Sequence, residues 1–154
     1  MHLVLFINQI NHEKLPLGKR LLITAVAFLV RKRKVARNMI PKIVHYVWLG
    51  HGEKSDKIKA CMESWRKFLP DYEIKEWNED NFDINYNDFT RDSYEKKMYA
   101  FTSDVVRLYA LYTEGGIYLD TDVLLYKPLD EFLTDEGFTG FEDTNYPVTA
   151  VMRC

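Results

Sequence analysis

Cysteine is scarce in this chain of 154 residues: Cys61 and Cys154 are the only two, and they form no CxxC pair. Two isolated cysteines exclude a disulfide framework and a zinc site built from paired cysteines. Glycine and proline are also few, with seven and five residues, which excludes collagen-like and low-complexity chains. We therefore expect a globular protein in a reducing, cytoplasmic compartment.

A long apolar run is missing as well. The most apolar stretch, residues 21–30 (LLITAVAFLV), has ten residues, whereas a helix that spans a bilayer needs about 20. Basic residues flank it at positions 19–20 and 31–34. Two interpretations fit: residues 15–37 contact a membrane surface peripherally, or the stretch is a helix packed on the protein with solvated ends. A third interpretation is that residues 1–38 are a dispensable extension that precedes a domain of residues 39–154.

Positive charge is scarce in the body of the chain. Residues 1–42 carry nine Lys/Arg and one acidic residue, whereas residues 43–154 carry twelve Lys/Arg and twenty-two Asp/Glu. A basic body that would bind nucleic acid is therefore absent, and we expect no nucleic-acid partner. The basic start favours an anionic membrane surface, which predicts a location in the cytoplasm, at the inner face of the membrane.

Hydrophobic periodicity predicts an alternation of strands and helices. Strands are expected at residues 42–49, 72–77, 117–120, 123–126, 138–141 and 148–152, and helices at residues 54–68, 92–100 and 103–114. Ser103 or Thr102 is the expected N-cap of the last helix, and Gly115-Gly116 its left-handed end. Residues 78–87 are polar and rich in turn formers. The order predicts an α/β sheet with a nucleotide-type crossover.

Asp120-Thr121-Asp122 follows the predicted strand at residues 117–120, at the edge where open α/β sheets bind ligands. Residues two apart in an extended chain point the same way, so both carboxylates could hold a divalent cation together with phosphate oxygens. Mg²⁺ or Mn²⁺ suits such oxygen ligands. A motif this short also arises by chance, and a plain polar turn is the alternative.

Asp104 and Arg107 are three residues apart on a predicted helix and share a face. They form either a modest surface ion pair or a site in which the carboxylate accepts ligand hydroxyls and the guanidinium meets a phosphate. Trp48 ends the first strand, as a core residue or as a platform for a base. His45 is expected to be a hydrogen-bonded core histidine. A P-loop and a Ser or Cys nucleophile arrangement are absent from the sequence.

Three ordered motifs closely resemble those of glycosyltransferase family 32, the group with a sugar-binding region that contains a DXD motif: IPKIVHYVWLG, SWRKFLPDYEIKEWNEDNFD and YAFTSDVVRLYALYTEGGIYLDTDV. The family includes bacterial capsular-polysaccharide transferases and fungal initiating mannosyltransferases, and the large clostridial glucosylating toxins resemble it distantly. The match covers about residues 39–142. The resemblance implies a GT-A fold, a Rossmann-like α/β domain that uses a nucleotide-sugar donor and Mn²⁺ or Mg²⁺.

The resemblance also implies roles for individual residues. Trp48 would stack on the donor base, with Asn78 helping there. Asp104 and Arg107 would hold the donor sugar and its diphosphate, and Tyr118 would flank the donor. Catalytic roles fall to Arg107, Asp120 and Asp122: Asp120 would bridge ribose or sugar to the metal, and Asp122 would ligate the metal directly. The family is retaining and has no agreed protein nucleophile, so none is assigned.

The implied activity is transfer of a hexose from a UDP- or GDP-sugar to a glycan or lipid-linked acceptor, as in capsule or other polysaccharide biosynthesis. Family domains usually continue well past the stretch that matches residues 141–153, so we expect the GT-A domain to be incomplete at its C-terminus. The alternative is a truncated, non-catalytic fragment that at most binds nucleotide or membrane. A metal-dependent phosphohydrolase would need more acidic or histidine ligands than this sequence displays.

Overall fold

The sheet that positions the site is seen in a computed structural model, which describes residues 41–133, 137–141 and 146–153. It has five strands in the order β2-β1-β3-β5-β4. The strands are β1 (Ile43–Val47), β2 (Glu73–Trp77), β3 (Ile117–Leu119), β4 (Phe138–Phe141) and β5 (Pro147–Arg153). β1 pairs in parallel with β2 and β3, whereas β5 pairs antiparallel with β3 and β4. The predicted α/β class, with its Rossmann-like parallel core, is confirmed.

Three helices cover the two faces of this sheet: α1 (Asp56–Phe68), α2 (Asp88–Glu95) and α3 (Tyr99–Glu114). Because side chains alternate along a strand, β1 turns Val44 and Tyr46 toward the cluster that contains Trp65 of α1. It turns Val47 toward the cluster that contains Val106 of α3. A short 3₁₀ helix, Asp130–Phe132, follows on the α1 side.

α1 begins where its sequence supplies a cap. Ser55 accepts a hydrogen bond from the Ile58 amide, and the helix ends before Pro70. The apolar residues of its inner face, Met62 and Trp65 among them, are buried against the sheet. This helix matches the predicted range of 54–68 to within two residues.

The second and third helices begin earlier than predicted. α2 starts at Asp88, not at residue 92, because Asn87 and Thr90 form a reciprocal capping box. α3 starts at Tyr99, so neither Ser103 nor Thr102 is its N-cap, and no side-chain cap is present at Met98. The Thr102 hydroxyl, fully buried, instead lies 2.8 Å from the Ser93 hydroxyl and ties the two helices together.

The strand predicted at residues 123–126 is wrong. Its backbone is held by side chains of α1 instead of a strand ladder: the Trp65 indole donates to the Val123 carbonyl at 2.8 Å, and the Leu125 amide donates to the Ser64 hydroxyl at 3.0 Å. Val123 and Leu125 are buried, which explains the apolar alternation that suggested a strand. The apolar alternation correctly predicted which residues are buried, but it did not predict that this segment lacks a strand partner among the described residues.

The junction between α3 and β3 requires two glycines. Gly115 and Gly116 both have positive φ, as predicted. Gly115 is not in the left-handed helical region, however, because its ψ of −151° places it in a region open essentially to glycine alone. A Cβ on Gly116 would lie 2.6 Å from the Ile43 carbonyl oxygen, so this turn presses directly against β1.

The predictions for the start of the chain lie outside the described residues. These are the dispensable extension of residues 1–38 and the membrane contact of residues 15–37. Within the described ranges, no helix combines the length and apolar character needed to cross a bilayer.

Candidate functional site

The carboxyl ends of the three parallel strands meet at one edge of the sheet. Asn78 follows β2, Trp48 follows β1, and Asp120 follows β3. Because β1 lies between β2 and β3, these residues are arranged in that order along the edge, at neighbouring strands about 4.8 Å apart. The structure therefore brings the predicted site residues to the edge at which open α/β sheets bind ligands.

Arg107 is the centre of a buried polar cluster at this edge. Its side chain is only 7% exposed. One terminal nitrogen, Nη2, lies 2.9 Å from Asp104 and 3.3 Å from Asp120, and the other, Nη1, donates to the Thr149 carbonyl and hydroxyl oxygens at 2.8 and 2.7 Å. The predicted pair of Asp104 and Arg107 is thus part of a larger network that joins α3, β3 and β5.

One donor of this guanidinium is unused. Arg107 Nε is buried and has no hydrogen-bond partner among the described residues. A buried N–H without a partner costs free energy, and a guanidinium forms its strongest bonds with anionic oxygens. This N–H is enclosed in the described structure, so a ligand oxygen could reach it only if the atoms around it moved.

Asp120 is held rigidly in this network. Its amide donates to the Ala150 carbonyl at 2.7 Å, which extends the pairing of β3 with β5 by one residue. Its carboxylate accepts the Tyr118 hydroxyl at 2.8 Å, and the Arg107 guanidinium lies 4.7 Å from the centroid of the Tyr118 ring. Tyr118 is almost fully buried on the side of the sheet that packs against α3, and its hydroxyl fixes the position of the Asp120 carboxylate.

Burial changes the acid–base properties of the cluster. Loss of solvent raises the pKa of Asp120, and the nearby charge of Asp122 adds to the rise, while Arg107 opposes it. Burial also raises the pKa of Asp104, again against the effect of Arg107. The pKa of the Tyr118 hydroxyl is raised well above its ordinary value, mainly by burial. Tyr118 therefore remains a neutral hydrogen-bond donor to Asp120.

Asp120 and Asp122 do not lie in the extended segment on which the prediction of parallel carboxylates depended. The chain turns after Asp120, where the Val123 amide donates to the Asp120 carbonyl at 3.0 Å. The argument that two residues apart in a strand share a side therefore does not apply to this pair. Asp122 is exposed at the turn, while Asp120 is partly buried behind it.

Asp104 also lies farther into its helix than predicted. With α3 starting at Tyr99, Asp104 is in the second turn, and the first turn holds no acidic residue. The N-terminus of the helix therefore does little to stabilise the charge of Asp104, because this effect falls off within the first turn. The ion pair with Arg107 stabilises that charge instead.

A divalent cation fits the charges at this edge. Arg107 contributes one positive charge, and Asp104, Asp120 and Asp122 contribute three negative charges, which gives a local sum of −2. An anionic ligand would be repelled by that sum unless a cation came with it. Among the described residues, no group of three or more His, Cys, Asp or Glu side chains is arranged to hold a metal. Asp120 and Asp122 would therefore share the ion with ligand oxygens and water, as Mg²⁺ sites commonly do.

The environment of Trp48 follows from local contacts. Its indole donates to the Gly52 carbonyl at 2.8 Å, and the Lys54 ammonium lies 5.1 Å from its ring centroid. Its amide donates to the Trp77 carbonyl at the end of β2. Trp48 is half-buried at the strand end, so a platform role is compatible with its position.

Asn78 is largely used by its own turn. Its side-chain amide donates to Glu76 at 3.1 Å, and its side-chain oxygen accepts the Asp80 amide at 2.9 Å. Asn78 therefore fixes the start of the polar loop after β2. Its predicted part in a base pocket stays a prediction.

His45 is the core histidine that the sequence predicts. The Trp77 indole donates to His45 Nδ1 at 3.0 Å, so the ring proton sits on Nε2 and is donated to the Gly115 carbonyl at 2.9 Å. Complete burial lowers the pKa of the ring. A neutral imidazole therefore joins β1, β2 and the α3–β3 turn.

Sequence reasoning missed two residues at this edge. Thr149 supplies two acceptors to Arg107, but no motif marks it, because its place depends on β5 inserting between β3 and β4. Glu79 accepts the Gly50 amide at 2.6 Å and the Tyr94 hydroxyl at 2.8 Å, and so joins the loop after β1 to α2. The only signal for Glu79 was its position in the motif that contains Asn78.

Comparison with known proteins gives a consistent picture. The family described as "Glycosyltransferase sugar-binding region containing DXD motif" matches residues 55–139. This chain is similar to Subversion of eukaryotic traffic protein A of Legionella pneumophila, with 31% identity over 127 residues, 64% of this chain and 20% of that protein. It is also similar to inositol phosphoceramide mannosyltransferase 3 of Schizosaccharomyces pombe, with 34% identity over 98 residues, 61% of this chain and 27% of that protein.

A solved structure named PaToxG Glycosyltransferase is similar to 80% of this chain and 54% of its own, with 20% identity and a TM-score of 0.48. The chain spans about a fifth of the Legionella protein and about a quarter of the yeast protein.

Proposed function

This chain belongs to the glycosyltransferase family whose sugar-binding region contains a DXD motif, and we propose that it forms the donor-binding part of a hexosyltransferase. The reaction is transfer of a hexose from a UDP- or GDP-sugar to a glycan or lipid-linked acceptor. The name of the Schizosaccharomyces pombe relative, an inositol phosphoceramide mannosyltransferase, supports a hexose and a lipid acceptor.

The observation that carries this proposal is the Arg107 cluster. A guanidinium set among Asp104, Asp120 and Tyr118 beside the DXD turn is suited to hold a sugar diphosphate. Carboxylates accept sugar hydroxyls, and the guanidinium meets phosphate oxygens. A simple surface ion pair between Asp104 and Arg107 would involve α3 alone, whereas Arg107 also contacts the end of β3 and β5.

Mn²⁺ or Mg²⁺ is part of the proposal, and the carboxylates of Asp122 and Asp120 would hold it. When bound, such an ion offsets the negative charge that builds on a departing diphosphate. Both residues supply hard oxygen ligands at an accessible turn. Fixed in place by Tyr118 and the β5 backbone, the Asp120 carboxylate requires little reorganisation to act.

The protein's own part in catalysis is electrostatic and positional. Arg107 is preorganised by four polar contacts and aims its charge at the side where the leaving group departs. Asp104 orients the sugar through its hydroxyls. We propose retention of configuration, with the acceptor hydroxyl attacking from the face that the diphosphate leaves, and we assign no protein nucleophile.

The base side of the donor is assigned to the ends of β1 and β2. Trp48 would stack on the base, and Asn78 would flank it, since both lie on the same sheet edge as Asp120. Glu79 keeps the Trp48 loop in place through the Gly50 amide. We further propose a cytoplasmic location at the inner face of a membrane, supported by the basic charge of residues 1–42.

Thermal stability with ligands tests the proposal directly. The chain is melted alone, with Mn²⁺, with UDP or GDP, and with each pair, because a ligand that binds only the folded state raises its melting temperature. At a ligand concentration of about 100 times Kd the gain is about 2.7 kcal/mol, equivalent to several degrees for a domain of this size. We expect a shift that requires metal and one nucleotide together.

Asp122→Asn should lose the metal-dependent part of the shift and any transferase activity, while its unliganded melting temperature stays within about a degree, since Asp122 is exposed. Glu95→Gln, a loss of the same charge on exposed α2, should behave as the parent chain does. An unaltered shift in Asp122→Asn would refute the metal assignment. No shift with any nucleotide would favour the alternative of a non-catalytic fragment.

A further inference from the structure

The outer face of α3 carries an apolar row that the described structure leaves open. Phe101, Val105, Leu108 and Tyr112 follow one another at spacings of four, three and four residues, so they lie on one face of the helix. Phe101 is 48% exposed and Tyr112 50%, while Val105 and Leu108 are half-buried, and Leu108 also packs against the cluster that contains Val106. We call these four residues the outer face.

The inner side of the same helix is already packed. Val106, Ala110 and Leu111 are buried against the sheet. A surface helix of a globular protein has one apolar stripe, whereas a helix that is apolar on opposite sides is packed on both. The four residues form a continuous apolar row, and the charged side chain beside it is Asp104, one turn from Phe101 and Leu108. Its composition is therefore that of an interface.

The chain itself enters the described structure beside this helix. Pro41 lies against the C-terminal end of α3, where its Cδ is 3.5 Å from the Cβ position of Gly115. Tyr112, the last member of the outer face, belongs to the final turn before that glycine. Whatever precedes Pro41 is thus tethered within reach of the outer face.

The apolar stretch of residues 21–30 is separated from Pro41 by ten residues. Ten extended residues reach up to about 35 Å, which exceeds the length of about 24 Å that sixteen helical residues span. Tethering over such a distance gives an effective concentration in the millimolar range. The stretch carries no charge of its own, so nothing in it opposes burial.

Charge favours the same arrangement. Residues 31–34 are all Lys or Arg, and the connection to Pro41 brings them toward the C-terminal end of α3. That end carries the negative pole of the helix, while Glu114 there is already paired with Lys75 at 2.6 Å. A basic tether is therefore attracted to the place where the connection has to lie.

We propose that residues 21–30 dock on the outer face of α3 within the same chain. The docked stretch covers Phe101, Val105, Leu108 and Tyr112 and stabilises the helix that carries Asp104 and Arg107. This inference does not depend on the proposed function, because the residues of the outer face have no part in the proposed donor site.

Labelling of a thiol at position 112 tests the proposal in the full chain. The background carries Tyr112→Cys and Cys154→Ser, and Cys61 is buried, so the introduced thiol is the accessible one. Its rate of reaction with a maleimide is compared with that of a second chain that also carries Ala27→Asp and Phe28→Asp. Docking predicts labelling slower by about tenfold or more in the first chain, because docked residues 21–30 would cover the thiol at position 112.

The matched control carries Gln9→Asp and Asn11→Asp, the same change in charge outside the apolar stretch, and should label as slowly as the parent. Fast labelling of every chain would overturn the proposal. Protection that rises with protein concentration would assign the face to a second copy, and protection only with vesicles of anionic phospholipid would assign it to a membrane. If the charged variant loses its helical circular dichroism, Phe28→Ser replaces it, and equal rates with the parent would again overturn docking.

Discussion

At the level of single residues, Arg107 shows why one side chain can determine a site. Its fork contacts Asp104, Asp120 and Thr149 at once, and these come from a helix, a strand end and the antiparallel strand β5. A lysine in its place would offer a single point charge and could not span the three partners. The geometry of the cluster therefore depends on guanidinium chemistry and not on positive charge alone.

His45 makes stability depend on pH. Burial lowers the pKa of its ring below the ordinary value of 6.5. Just below pH 6.5, His45 is therefore protonated in the unfolded chain but still neutral in the folded chain. The neutral imidazole stabilises the folded state fully above pH 6.5, and this stabilisation is lost as the pH falls below that value. We expect the free energy of unfolding to decrease between pH 7 and pH 5, by at most about 1.4 kcal/mol per pH unit from this residue.

His45→Gln should be less stable at pH 7 but show a flatter decline over that range, as measured by urea denaturation at a series of pH values. His51→Gln, at an exposed position, keeps the buried ring and should decline as the parent does. Parallel curves for His45→Gln and the parent chain would contradict this origin of the pH dependence.

Single residues were predicted from the sequence where their neighbours lie close along the chain. The pair of Asp104 and Arg107 needed only a helical turn, and the buried His45 needed only the composition of its strand. Thr149 and Glu79 were missed, because their partners lie 42 and 29 residues away. Such contacts depend on the register of the sheet, which no local pattern encodes.

At the level of the elements, the turn between α3 and β3 is tightly constrained. Gly116 has φ +84°, and a Cβ there would meet the Ile43 carbonyl oxygen at 2.6 Å and His45 Nε2 at 3.2 Å. Gly116→Ala should therefore combine backbone strain with displacement of β1. We expect a loss of at least about 2 kcal/mol in the free energy of unfolding.

Gly52→Ala is the matched control, since a Cβ at that position has no atom within 4 Å. Chemical denaturation of both variants measures the difference. A Gly116→Ala chain as stable as Gly52→Ala would show that the turn can relax without moving β1.

Elements were predicted well where a local signal and the tertiary contacts agree. The apolar spacing of α1 identified that helix, and the strand at Phe138–Phe141 was predicted residue for residue. The error at residues 123–126 arose because burial against Trp65 produces the same alternation as a strand. The late start predicted for α3 came from treating Thr102 as a cap, when its hydroxyl serves the contact with α2.

At the scale of the whole molecule, β5 makes the sheet continuous. It lies between β3 and β4, and Val151 at its centre is fully buried opposite Leu119. A chain that ends at residue 133 would lack both antiparallel strands and expose the edge of β3. We expect it to lose cooperative thermal unfolding, as followed by circular dichroism.

A chain that begins at residue 39 retains every described strand and should still melt cooperatively, which makes it the control for shortening. A cooperative transition in the chain that ends at residue 133 would show that the parallel strands form an independent unit. The α/β class was predictable from the order of elements, but the antiparallel insertion of β5 was not, because the pairing partners of a strand are not encoded in its own sequence.

The contact between Arg107 and Thr149 has a consequence for biosynthesis. During translation, α3 and β3 leave the ribosome well before residue 149 does, and for that interval the guanidinium lacks the oxygens that Thr149 later supplies. Contacts between distant parts of a chain form late and slowly. A nascent chain would therefore complete the Arg107 cluster only after β5 has emerged and inserted, so that this network of contacts closes at the end of folding.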